Sequence, residues 1–185
     1  MSADSRPWAT GIPPPKLTEY EVNTALETAF RHEEAGKKPQ AVFDYKRVLQ
    51  VKKNNVVALL SYKAIFLANP GDCFVHDADV YLLDWIWDCL NNVSESDKQE
   101  AKEFLEKWAS QSALGKCRLA QYYDVIEKDY KKCVALLNEC NPQTPEVFFL
   151  LGAAYSFGDG VTQNYSQAAA WYMRAVKDGH AAARN

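Results

Sequence analysis

The chain repeats itself. Leu119-Ala120-x-x-Tyr123 returns 32 residues later as Leu151-Gly152-x-x-Tyr155. The set Tyr130, Cys133, Leu136, Leu137 and Cys140 returns 35 residues later as Tyr165, Ala168, Trp171, Tyr172 and Ala175. The change of offset places three extra loop residues around Gly158 to Gln163. A third copy of the second set lies upstream, where Ala101, Phe104, Leu105 and Trp108 precede the Ala168 set by 67 residues. Its first helix carries Leu83 and Trp87. Each unit reads as two amphipathic helices. One such hairpin cannot bury its apolar face, so successive units must stack.

The rest of the chain beyond Leu17 is patterned for short helices. Thr18 precedes Glu19 and Glu21, a helix-start signal, and Ala25, Leu26, Ala29 and Phe30 share one face. Gly36 stops that helix and Pro39 opens the next, marked by Ala41, Val42, Tyr45, Val48 and Leu49. The stretch from Val56 to Ala68 is apolar nearly all round, so it is expected to lie sandwiched between neighbours, and Pro70-Gly71 ends it. Further helices are expected over 77–90, from Ser96 or Asp97 to Gln111, and over 114–126, 130–139, 146–157 and 165–177. Sustained strand alternation is nowhere visible. Short helices joined by short connections imply antiparallel neighbours. Residues 1–16 hold Pro7, Pro13, Pro14 and Pro15 with Gly11 between them. They read as a flexible, extended arm.

The C-terminal unit runs Leu151-Gly152-x-x-Tyr155-x-x-Gly158-x-Gly160-Val161-x-x-Asn164-x-x-x-Ala168-x-x-Trp171-Tyr172-x-x-Ala175-x-x-x-Gly179-His180-Ala181-x-Ala183. It resembles a Sel-one-like repeat, a relative of the tetratricopeptide repeat. Residues 77–141 resemble two degenerate copies without the Gly-x-Gly-Val turn. Residues 25–58 are more similar to an ordinary tetratricopeptide unit, through Ala29, Gly36, Ala41, Tyr45, Val48-Leu49 and Ala58. The resemblance implies an all-α fold: an α-solenoid over 17–185, a right-handed superhelix of antiparallel helical hairpins. Gly179 to Asn185 resembles the first turn of another unit. The chain is therefore expected to be a piece of a longer protein, truncated at its C-terminus.

Composition narrows the function classes. Basic residues number 21 and acidic residues 24, a net charge of −3, which speaks against nucleic acid and anionic membrane as partners. No apolar run reaches the roughly 18 to 20 residues of a membrane span. Five cysteines and a start without an apolar leader point to reduced thiols in a cytoplasmic or nuclear protein. Cys133 and Cys140 lie seven apart on one helix, about 10 Å, too far to bridge.

No catalytic, metal or cofactor constellation stands out. Cys73-x-x-His76 has the spacing of half a zinc site, without a second pair. His32 and His180 are expected to be solvated or hydrogen-bonded structural residues, and Asp84 with Asp88 a solvated face. The pairs Lys37-Lys38 and Lys52-Lys53 are expected to face water. No phosphate loop or His-Glu-x-x-His occurs. The chain is thus expected to be no enzyme but an interaction scaffold, holding a peptide or partner helix on the concave surface formed by the first helix of each hairpin. Register with the Leu151 helix puts Tyr81, Trp85 and Asp88, then Gln121 and Asp124, then Phe149 and Ala153 on that surface. Trp87 matches Tyr155 and is expected in the core. The acids and aromatics suggest a ligand mixing basic and apolar side chains. The other reading is a regulatory or targeting segment of a larger enzyme whose chemistry lies outside these residues.

Overall fold

The computed structural model describes residues 17–68, 82–140 and 143–184. Among them every regular element is helical and there is no strand. A single 3-10 turn, Glu19–Glu21, leads into α1 (Val22–Glu34). There follow α2 (Lys38–Val51), α3 (Val56–Ala68), α4 (Leu82–Asn91), α5 (Glu95–Ala109), α6 (Ala113–Tyr122), α7 (Tyr130–Glu139), α8 (Pro145–Phe157) and α9 (Tyr165–Lys177). A last 3-10 turn covers Ala181–Arg184. The proline arm, the Cys73/His76 loop and Tyr81 lie outside the described residues.

The starts of these helices carry the repeat. Ser112 caps α6 by accepting from the Gly115 amide at 3.0 Å, and Thr144 caps α8 by accepting from Val147 at 3.4 Å. Asp129 caps α7 through the Lys132 amide at 3.1 Å, and Asn164 caps α9 through Gln167 at 3.0 Å. The two pairs of caps stand 32 and 35 residues apart, the offsets of the apolar pattern. Burial follows the same correspondence at three of the four aligned positions, Tyr172 being half-buried where Leu105 and Leu137 are buried. Ala101, Cys133 and Ala168 are buried, Phe104, Leu136 and Trp171 are half-buried, and Trp108, Cys140 and Ala175 are buried.

Consecutive helices pack on one another most extensively as α1/α2, α5/α6, α6/α7 and α8/α9. Gly152 shows why small residues are needed in these hairpins, because a Cβ there would meet the Tyr172 ring at 2.7 Å. The Gly160 turn between α8 and α9 sits on the start of α7. Its φ is +73°, and a Cβ would fall 2.3 Å from the Tyr130 carbonyl oxygen. Phe30, Phe104 and Trp108 join α1 to α5, with centroids 4.9 to 6.0 Å apart.

Helix α3 is sandwiched, as its apolar sequence requires. It touches α2, α4, α5, α6 and the final 3-10 turn. Nine of its 13 residues are buried. At about 1.5 to 3 kcal/mol for each large side chain, α3 is a major contributor to the core. It has no counterpart in the repeat. The core runs as one cluster from Val22 to Ala154.

Candidate functional site

A groove of about 200 Å³ opens between α3 and α8, with α6 as its floor. Leu60, Lys63, Ala64 and Leu67 of α3 form one wall. Phe149, Leu150 and Ala153 of α8 form the other, Trp87 of α4 closes one side, and His180 lies on the border. The floor is Gln121, Asp124 and Val125. The floor is not plain α-helix: α6 passes into a π-helical turn over Tyr123–Glu127, ended by Lys128 at φ +57°. That turn widens the helix where Asp124 and Val125 line the groove, a device common at functional sites.

The polar residues of the groove are Lys63, Gln121, Asp124, Glu146 and His180. Lys63 Nζ stands 4.0 Å from the Trp87 ring centroid, a cation–π contact. Burial pulls the Lys63 ammonium below its usual pKa, and Asp124 opposes that shift. Burial pushes the Asp124 carboxyl up, only partly offset by Lys63 and Lys128. The Asp124 carboxylate accepts no hydrogen bond from a described side chain. Phe149 carries the His180 imidazole stacked on it, centroids 4.6 Å apart and planes 12° off parallel.

Glu146 of α8, which also lines the groove, belongs to an ion cluster. Arg118 is fully buried and pairs with Glu33 of α1 through Nη2 and with Glu146 of α8 through Nη1 at 2.6 Å. Tyr45 donates to the other oxygen of Glu33 at 2.7 Å, and Gln121 donates to Glu146 at 2.8 Å. Burial raises Glu33, and Arg118 works against it. The cluster ties α1, α2, α6 and α8 together and fixes Gln121, which the groove exposes.

Among the described residues two further clefts of about 290 Å³ each are lined by polar groups that are largely committed to one another. In one, between α1, α3 and α5, Lys52 pairs with Asp97 and Glu100, and Lys107 with Glu27. Lys52 therefore bridges two helices, where the sequence suggests a lysine facing water. In the other, Glu33 and Glu146 are held by Arg118.

Of the residues that register places on the concave face, the structure brings Gln121, Asp124, Phe149 and Ala153 together in the groove. Asp88 is exposed and does not line it; there Asn92 Nδ2 donates to the Asp88 carbonyl at 2.8 Å and to its carboxylate at 3.2 Å. Tyr81 and the side chain of Trp85 lie outside the described residues. Trp87 corrects the expectation of a core residue: it is 40% exposed and lines the groove. The match to Tyr155 misleads because Tyr155 is itself only half-buried, and because α3, which faces Trp87, lies outside the repeat. His180 is also corrected. It is buried, and its Nδ1 finds no partner among the described residues. His32, by contrast, does bond its neighbour Asp44, at 2.9 Å.

No family model, curated protein or solved structure matches this chain. The groove itself must therefore carry the functional argument. Among the described residues no cluster of three or more acids, histidines or cysteines could hold a metal. Nor is any described helix long and apolar enough to cross a membrane. Lys63 and Arg118 are the site residues that register reasoning overlooks. Both leave a trace in the sequence, since Lys63 is the one charge in α3 and Arg118 stands among Cys117, Leu119 and Ala120.

Proposed function

We propose that this chain is a helical-repeat interaction module of the tetratricopeptide and Sel-one-like kind, a right-handed solenoid that holds a segment of a partner protein in the α3/α8 groove. One observation carries the reading. Four positions chosen for a concave surface from repeat register, Gln121, Asp124, Phe149 and Ala153, line a single groove together with an exposed tryptophan. Apolar walls with a few fixed polar groups are what recognition of an extended or helical segment needs. Half-exposed aromatics such as Trp87 are the favoured anchors.

The test is affinity capture with wild type, Ala153→Glu and Asp88→Lys, after circular dichroism shows that all three fold. A groove partner is lost with Ala153→Glu and kept with Asp88→Lys. The opposite pattern places the contact on the outer face of α4 and removes the groove reading.

A further inference from the structure

We propose that the groove is built to take a cationic side chain, a lysine or arginine of the partner segment, in the place that the Lys63 ammonium now holds. The inference rests on the groove being the partner site. It adds the chemistry that the site selects.

Lys63 is the one charged residue in the 13 of α3. Its ammonium lies over the Trp87 ring, 4.0 Å from the centroid, on a wall of the groove that is otherwise Leu60, Ala64 and Leu67. A lysine at that point would ordinarily extend to water, since desolvating an ammonium is costly. Asp124 supplies the attraction on the floor: it is half-buried, its charge acts on Lys63, and no hydrogen bond from a described side chain ties its carboxylate down. An acid and an aromatic face lining one groove are the pair of groups that recognises a cation. Lys63 is then a tethered stand-in. It occupies the site in the free protein and leaves for solvent when a partner's cation enters. Leu60, Leu67, Val125 and Leu150 are placed to cover the methylene stem and apolar neighbours of that residue.

The displacement makes an unusual prediction. Removing a lysine from the binding site strengthens binding. The probes are n-hexylammonium and its neutral counterpart 1-hexanol, read by the indole N–H resonance of Trp87, assigned with Trp87→Phe. Lys63→Met keeps the stem length and vacates the ring, and hexylammonium binds it about tenfold more tightly than wild type. Asp124→Asn loses that binding. Lys128→Gln removes a charge that also acts on Asp124 but does not vacate Trp87, so it changes affinity by less than about twofold. Equal gains from Lys63→Met and Lys128→Gln overturn the displacement. Hexanol binding as well as hexylammonium, with Asp124→Asn silent, overturns the cationic reading and leaves an apolar partner groove standing. If neither probe moves Trp87 in Lys63→Met, both readings fall.

Discussion

Arg118→Met is the most informative single change to the framework of the groove. It keeps an unbranched apolar side chain of similar reach and removes the guanidinium. The Arg118 side chain is 2% exposed and that of Glu33 8%. Methionine therefore leaves a carboxylate without its counter-ion and without water to replace it. Removing one partner of a buried ion pair costs about 3 to 5 kcal/mol. For a chain of this size each kcal/mol lowers Tm by about 2 to 4 °C, so the drop should be roughly 6 to 20 °C. The assay is urea and thermal unfolding followed by far-ultraviolet circular dichroism.

The defect must also depend on pH, and in one direction. Burial already raises Glu33, with Arg118 opposing the shift. Without Arg118 the folded-state value rises further above the unfolded one. A group raised in the folded state contributes stability that is present below its unfolded pKa and lost as pH climbs through the folded value. The defect is therefore largest at neutral pH and smallest near pH 4 to 5. Glu33→Gln added to Arg118→Met should restore more than about 1 kcal/mol at pH 7. A single variant within about 1 kcal/mol of wild type, with no change between pH 5 and 7.5, would refute the cluster as the tie between α1, α6 and α8.

Other consequences concern the turn, the thiols and the buried imidazole. Gly160→Ala forces a Cβ against the Tyr130 carbonyl at positive φ, and should cost about 2 kcal/mol or more in a thermal melt. Burial pushes the Cys133 thiol up to about 12. At pH 8 it should be alkylated by iodoacetamide about a thousandfold more slowly than in urea-unfolded chain, by peptide mapping. Burial lowers His180, against the pull of Glu146 and with the help of Lys38. Its contribution to stability is present above the unfolded value near 6.5 and is lost as pH falls through the lower folded value. His180→Phe keeps a ring on Phe149, so it should flatten the fall in urea midpoint between pH 7 and 5; an unchanged slope would assign that fall to other groups.

The helices were legible because each one announces itself locally. The spans 56–68, 130–139 and 165–177 follow directly from apolar periodicity and flanking cap or turn residues. Gln121, Asp124, Phe149 and Ala153 were legible for a different reason. A repeat transfers register from one copy to the next, so one well-read helix orients the others. The same transfer fails wherever the chain stops repeating. Helix α3 stands outside the repeat, so nothing in the register indicates that Lys63 enters the groove or that Trp87 faces it. The π-helical turn at Tyr123–Glu127 is also invisible to periodicity, which assumes 3.6 residues per turn throughout. Arg118 pairs with residues far off in sequence, Glu33 in particular, and such pairing depends on tertiary placement. The groove thus combines two kinds of information. Its floor, with Asp124, and one wall come from the repeated units, and its cation comes from α3, the helix that breaks them and that sets Lys63 over Trp87 of α4. The repeated segments supply the acid, Asp124, and the exposed ring, Trp87, and the inserted helix adds the cation, Lys63, so that all three share a single groove.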